Sequence, residues 1–138
     1  MDKKLEYLRA LGFQPAGNWS HLDGRIIHDV PLHAGSRRNV LYVFVADESP
    51  AYVGMTTMHL KERLRRYAHP PKSGHNGGGT NIKNNRNILE QLRANRRVSI
   101  LYLAGLHPSD DEPAPPGSLL HQMEFQLRGI LQPPWNAC

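Results

Sequence analysis

The stretch NVLYVFVADESPAYVG (residues 39–54) consists of two apolar runs separated by a short polar turn, ADESP. Runs rich in Val, Tyr and Phe on either side of a turn predict a β-hairpin. Each run carries one tyrosine, Tyr42 in the first and Tyr52 in the second. If the two strands pair in even register, the alternation of side chains along a strand places both tyrosines on one face of the sheet. Taken alone, both are most simply explained as strand-forming residues.

Outward from this hairpin, hydrophobic spacing and turn residues predict helices over residues 58–67, 82–97 and 119–131 and a strand over 98–105. Before the hairpin, residues 3–11 have helical leucine spacing, and Asp23-Gly24 predicts a tight turn between two short strands. We therefore predict an α/β fold of the α+β type, with a small, mainly antiparallel three-stranded central sheet flanked by helices. Residues 1–38 are predicted to form an N-terminal helix and hairpin extension packed on the domain of residues 39–138.

The composition is that of one globular domain, with 39% hydrophobic and 21% charged residues in 138. No apolar run approaches the roughly 20 residues that a membrane helix needs, so no membrane partner is expected. The start of the chain has no apolar region of the secretory type. A single cysteine, Cys138, excludes an internal disulfide framework. We expect a cytoplasmic protein.

The positive charge is concentrated in the middle of the chain. Residues 61–97 hold ten Lys and Arg against two acids, a net +8 in a chain whose total is +5. Such a distribution is the electrostatic pattern expected of a nucleic-acid-binding protein, although on charge alone a solvated basic face explains it equally well. The candidate DNA-binding residues in this stretch are Lys61, Arg65, Arg66, Lys72 and Arg86.

Two further positions could carry chemistry. Arg63 and Tyr67 are four residues apart on a predicted helix and therefore share a face. The planar fork of an arginine can hold phosphate oxygens and offset charge that develops in a transition state. Glu124 lies in LLHQMEFQLRGIL (residues 119–131), where it is either a solvated helix carboxylate or a ligand for Mg²⁺. Mg²⁺ often uses one protein carboxylate together with substrate phosphate oxygens.

Five features in this order and spacing resemble the GIY-YIG nuclease family over residues 39–136: VLY (40–42), YVG (52–54), LKERL (60–64), the late Glu124, and PPWN (133–136). The chain departs from the family pattern at three positions. Val40 stands where the family name has Gly, Tyr67 where many members have His, and Met55 where members often have Lys. Lys83 is the candidate to replace that lysine.

The resemblance implies a GIY-YIG-like fold and a metal-dependent endonuclease, of phage or restriction type, that hydrolyses phosphodiester bonds in double-stranded DNA. On this hypothesis, Glu124 holds Mg²⁺ or Mn²⁺ and Arg63 binds the scissile phosphate. Tyr67 orients the phosphate or the attacking water, Tyr42 is the general base, and Tyr52 holds the water or the phosphate. The resemblance also places Lys83 among the catalytic residues. Asn136 is expected to tie the C-terminus near the site and to contact DNA. The resemblance further implies a homo-oligomer, dimer or tetramer, among the expected assemblies, and a location in the cytoplasm of a bacterium or of an infected host cell.

Two alternatives remain open at this point. The first is a non-catalytic nucleic-acid-binding module that uses the basic 61–97 surface; a degraded site should have lost some of its motif residues, and this chain retains Tyr42, Tyr52, Arg63 and Glu124. The second is a basic structural or ribosome-associated protein with a coincidental pattern, which leaves the order of the motifs unexplained. The choice between a nick and a double-strand cut is also open, as is the tyrosine that takes the proton.

Overall fold

The computed structural model describes residues 3–70 and 78–136. In these two ranges the chain forms the following elements: α1 (Lys3–Leu11), β1 (Gln14–Leu22), β2 (Arg25–His28), α2 (Leu32–Gly35), β3 (Val40–Ala46), β4 (Ser49–Thr56), α3 (Leu60–Ala68), α4 (Gly78–Arg93), β5 (Val98–Leu103), α5 (Leu119–Leu131) and a 3-10 turn (Pro134–Asn136). None of the helices in the described part of the chain is long and apolar enough to cross a membrane.

The strands form one sheet in the order β2-β1-β5-β3-β4, and every neighbouring pair is antiparallel. The predicted fold class, a mainly antiparallel sheet flanked by helices, is confirmed. The predicted count of three strands is wrong, because the sheet has five. The hairpin turn at Asp23-Gly24 forms as predicted, with both residues at positive φ. Its strand β1 then pairs with β5, so the hairpin continues the sheet. This pairing joins segments about 80 residues apart, and no local pattern reveals it.

Strand β3, which lies between β5 and β4, is buried on both faces, which explains its uninterrupted apolar sequence. Its residues Val40, Tyr42 and Phe44 belong to a core cluster shared with α3 and α4. Its odd-numbered residues pack in a second cluster with α1 and α5. The sheet is therefore a middle layer between two helical layers. Tyr42 is directed toward the layer that contains α3 and α4.

The structure differs from the sequence prediction at the ends of one helix and adds local detail before two others. Helix α4 begins at Gly78 and ends at Arg93, four residues earlier at each end than predicted. The segment PLHAGSRR (31–38) contains the short helix α2. Before α3, the Thr56 hydroxyl accepts a hydrogen bond from the Met58 amide at 3.1 Å and so closes a turn.

Gly54 lies directly opposite Tyr42 in the β3–β4 ladder. A Cβ atom at position 54 would come within 2.6 Å of both the Cζ atom and the hydroxyl oxygen of Tyr42. The phenol ring of Tyr42 therefore extends across β4 over a residue that has no side chain. The YVG sequence is required here by packing, since any larger residue at position 54 would displace the ring.

We expect Gly54→Ala to lower the free energy of unfolding by about 1–3 kcal/mol, since an added methyl group overpacks a site already filled by Tyr42. Urea denaturation measures the change. Gly129→Ala is the matched control, because Gly129 lies in α5 with open space where a Cβ would be. There the better helix propensity of alanine should stabilise the protein by up to about 1 kcal/mol. Equal stability of Gly54→Ala and the wild type would contradict the close approach.

Candidate active site

An open cleft of about 530 Å³ lies beside the edge strand β4, where α3, α4, α5 and the 3-10 turn converge. Its walls include six residues that the sequence singled out: Tyr42, Tyr52, Arg63, Lys83, Glu124 and Asn136. Thr80, Arg128 and Trp135 also line it. Residues that lie up to 94 positions apart in the sequence thus come together around one strand.

Three tyrosines form the floor of the cleft. The hydroxyl oxygens of Tyr42 and Tyr67 are 2.6 Å apart and share a hydrogen bond. The Tyr67 hydroxyl lies 3.5 Å from that of Tyr52, a distance at which the interaction is weak. Tyr67 is fully buried and lies beneath the cleft, whereas Tyr42 and Tyr52 reach its wall. Since Phe44 pairs with Tyr52 and Gly54 with Tyr42, both motif tyrosines share one sheet face, as even register requires.

Burial raises the pKa of Tyr42 well above its ordinary value of 10.0, because the phenolate would lose its hydration. The nearby charge of Arg63 and the hydrogen bond from Tyr67 lower it, but not enough to offset burial. Burial likewise raises the pKa of Tyr67, and Tyr42 and Tyr52 raise it further. Both hydroxyls are therefore protonated at neutral pH in the free protein.

Arg63 is half-buried between α3 and α4. Its Cζ atom lies 4.2 Å from the centroid of the Tyr67 ring, a cation–π contact produced by the four-residue spacing on α3. Its Nη1 donates a hydrogen bond to Oδ1 of Asn81 at 2.8 Å. Burial alone would lower the pKa of Arg63, and the neighbouring tyrosines raise it, so the guanidinium remains charged.

Glu124 supplies the carboxylate of the cleft. It accepts a hydrogen bond from Nη1 of Arg128 at 3.2 Å, and 18% of its side chain is exposed. Of the described acidic residues, it alone lines the cleft, where Arg63, Lys83 and Arg128 supply positive charge. The cleft therefore has a positive balance around a single anionic group, which favours an anionic ligand.

The donor set around Glu124 restricts the kind of metal ion that could bind. No group of three or more His, Cys, Asp or Glu side chains in residues 3–70 and 78–136 could hold a metal ion. A zinc site built from several protein ligands is therefore not supported in the described residues. One accessible carboxylate does fit Mg²⁺, which keeps several water molecules and takes other ligands from a substrate phosphate.

Asn136 connects the 3-10 turn to the edge of the sheet. Its Oδ1 accepts a hydrogen bond from the Val53 amide at 2.8 Å, and its Nδ2 donates one to the Val53 carbonyl at 2.9 Å. The side chain pairs with β4 as a peptide unit of a neighbouring strand would. Asn136 thus holds the turn, with Trp135, at the cleft wall.

The candidate DNA-binding residues do not all lie at the cleft. Lys61 and Arg65 line a separate groove between α2 and α3. Arg66 and Arg86 are exposed on α3 and α4. Lys72 lies outside the described residues. Binding of DNA by these five residues and by Asn136, like the catalytic roles of the cleft residues, stays a prediction.

Sequence reasoning did not identify the polar face of α4. Asn81 contacts Arg63, and Nδ2 of Asn85 donates to the Tyr67 carbonyl at 2.9 Å. Asn84, the third asparagine of this face, is fully buried. The spacing of residues 81, 84 and 85 is that of one helical face, and this pattern could have predicted a buried polar contact with a neighbouring helix.

No family model matches the chain, and a search of curated proteins also found no match. Solved structures that are similar to it include the following two. A mutant of bacteriophage T4 EndoII is 16% identical with a TM-score of 0.73, covering 99% of this chain and 100% of that one. The restriction endonuclease HPY188I in complex with product DNA is 13% identical with a TM-score of 0.53, covering 93% of this chain and 78% of that one.

At these identities the likeness is one of fold. The segments NVLY (39–42), LKERLRRY (60–67) and PPWN (133–136) resemble endonuclease II of T-even phages in sequence, and the resemblance to T4 EndoII is confirmed by the structural comparison. The predicted fold, a mainly antiparallel sheet flanked by helices, is shared with this neighbour over 99% of the chain.

The buried tyrosines predict a particular dependence of stability on pH. In the unfolded chain a tyrosine has a pKa of about 10, whereas folding raises the pKa of Tyr42 and Tyr67. Their contribution to the free energy of unfolding is therefore complete below about pH 10 and is lost as pH rises above that value toward the folded-state pKa. Denaturation from about pH 8 to pH 11 should show this decline, and Tyr67→Phe should make it shallower.

Absorbance titration of tyrosinate gives an independent measurement. In the folded protein, the increase in tyrosinate absorbance at the highest pH values should be smaller for Tyr42→Phe and for Tyr67→Phe than for the wild type. The urea-unfolded protein is the control and should titrate near the ordinary tyrosine pKa. Coincident curves for the folded and unfolded protein would show that burial does not hold these hydroxyls protonated.

Proposed function

We propose that the protein is a metal-dependent endonuclease that hydrolyses phosphodiester bonds in DNA. One observation carries the proposal: Tyr42, Tyr52, Arg63 and Glu124, which come from four different elements, line a single positively charged cleft. The names of the two similar structures support the activity, since each is an endonuclease, and one of them holds product DNA. On the same hypothesis we also predict that the substrate is double-stranded DNA, that the location is cytoplasmic, and that the protein forms a dimer or tetramer.

In this proposal Arg63 binds the scissile phosphate. Its guanidinium is charged, half-buried and directed by fixed neighbours, so it can hold two phosphate oxygens without reorganising during the reaction. Lys83 and Arg128 add positive charge to the same wall. Together these three groups would attract the DNA backbone and offset the charge that the phosphate gains when water attacks.

Proton transfer is assigned to the tyrosines. Tyr42 first releases its hydroxyl proton to solvent. The oxygen of a water molecule then forms a bond to phosphorus, one proton of that water passes to the Tyr42 phenolate, and the bond from phosphorus to the departing sugar oxygen breaks, with that oxygen taking a proton from solvent. Burial disfavours this phenolate, whereas Arg63 and the hydrogen bond from Tyr67 favour it. Tyr52 would hold the water or the phosphate and is the alternative base, because its side chain also lines the cleft.

Glu124 is the proposed ligand of Mg²⁺ or Mn²⁺, which when bound supplies Lewis-acid stabilisation of the phosphate and of the leaving oxygen. Arg128, one turn later on α5, donates to the Glu124 carboxylate and so limits its rotation. The carboxylate is thereby directed along the cleft wall before any cation binds. Its partial exposure leaves coordination positions for water and substrate.

Glu124→Ala should abolish nicking of supercoiled plasmid in the presence of Mg²⁺. We expect a loss of roughly 1000-fold or more, since Lewis-acid stabilisation is worth several kcal/mol. Glu90→Ala, which removes an exposed carboxylate from α4, is the matched control and should cleave like the wild type. If the wild type binds plasmid without nicking it, and Glu124→Ala behaves in the same way, the result would favour the non-catalytic DNA-binding module.

Arg63→Ala should reduce cleavage far more than it reduces DNA binding. Loss of one preorganised transition-state contact typically costs about 100- to 1000-fold in rate, whereas loss of one phosphate contact weakens binding modestly. Arg66→Ala, an exposed change on the same helix, should lower binding and cleavage together. Gel-shift and plasmid-nicking assays measure the two quantities. Parallel losses in Arg63→Ala would make Arg63 merely part of the basic surface.

A further inference from the structure

We propose that Asn81 is a positioning residue for Arg63: it orients the guanidinium through a neutral acceptor and leaves the full positive charge available to an anionic substrate. The inference rests on the proposed function, because it assigns Arg63 an oriented role at the phosphate. The contact behind it joins Arg63 on α3 to Asn81 on α4, and Asn81 is not one of the motif residues.

The contact is short and largely shielded from water. Oδ1 of Asn81 accepts from Nη1 of Arg63 at 2.8 Å, and Asn81 is only 8% exposed. The Tyr67 ring lies 4.2 Å from the Cζ atom of the same guanidinium. A planar group held against a ring and at one nitrogen has little rotational freedom. Its remaining N–H groups, which lie beside the Tyr42 hydroxyl and along the cleft wall, are then held in a defined direction.

The positions of α3 and α4 reinforce this contact. Arg63 and Tyr67 are one turn apart on α3, and Asn81 and Asn85 are one turn apart on α4. Asn81 binds the side chain of Arg63, while Asn85 binds the main-chain carbonyl of Tyr67 at 2.9 Å. Two matched contacts therefore fix α4 against α3 in both position and rotation, and they hold the acceptor where the guanidinium needs it.

The chemical identity of the acceptor is informative. An aspartate at position 81 could accept the same hydrogen bond, but it would also form a charge-assisted pair with Arg63 and reduce the charge offered to a phosphate. In the described ranges the cleft carboxylate Glu124 pairs with Arg128, and Arg63 is in no ion pair. The neutral amide of Asn81 thus orients Arg63 without neutralising the positive charge of the guanidinium.

The experiment compares Asn81→Ala and Asn81→Asp with the wild type, and uses Asn87→Ala on the same helix as the matched control. Steady-state cleavage of a DNA duplex with Mg²⁺ should show kcat about 10- to 100-fold lower for Asn81→Ala with KM nearly unchanged, the loss expected of a misaligned group. Asn81→Asp should lower kcat and also weaken duplex binding in EDTA. Asn87→Ala should match the wild type in all three quantities.

NMR of the Arg63 guanidinium gives a readout that does not depend on activity. Rotation about the Nε–Cζ bond should be slow in the wild type and in Asn81→Asp, and fast in Asn81→Ala. In an Arg63→Ala background, Asn81→Ala should cost less than about twofold in further cleavage, because Asn81 acts through Arg63.

Fast rotation already in the wild type, an additive loss in the double variant, or wild-type rates in Asn81→Asp would each overturn the inference. Absence of cleavage by the wild type would instead refute the proposed function. The rotation measurement and duplex binding by Asn81→Asp would then still decide whether Asn81 orients Arg63 without reducing its charge.

Discussion

The hydrogen bond between the Tyr42 and Tyr67 hydroxyls, 2.6 Å long and fully buried, joins the central sheet to α3 beneath the cleft. Two other features of the site are linked to this bond. The Tyr42 ring can extend to this partner only because position 54 has no side chain. Tyr67, fixed by the bond, provides the surface on which the Arg63 guanidinium lies. A polar pair inside an apolar core is stable only when both groups are satisfied, and so the geometry of the cleft floor is specified closely.

Above this floor the charges of the cleft are kept separate. Glu124 and Arg128 form one pair on α5, while Arg63 donates a hydrogen bond to a neutral amide on α4. Opposite charges therefore occupy one cleft without cancelling each other completely. Such a separation suits a reaction in which a cation and a phosphate must bind side by side, since each needs a partner of the opposite sign.

Local patterns in the sequence predicted the hairpin, α1 and α5. The family resemblance singled out six residues that line the cleft, and the roles assigned to them stay predictions. What the sequence did not predict depends on contacts between distant segments. The fourth and fifth strands require β1 to recognise β5. The position of Lys61 and Arg65 in a groove against α2 depends on which face of α3 packs inward. Asn81 belongs to none of the sequence motifs, and its contact with Arg63 forms only because α4 packs against α3.

The way Asn136 binds Val53 has a consequence for association between molecules. Strand β4 is an edge of the sheet, and an open edge presents main-chain N–H and C=O groups that can template strand addition by another chain. The Asn136 amide occupies both groups of Val53 and covers the middle of that edge. The contact that completes the cleft wall therefore also blocks edge-to-edge aggregation, so a chain that loses its last turn becomes prone to self-association as well as incomplete at the cleft.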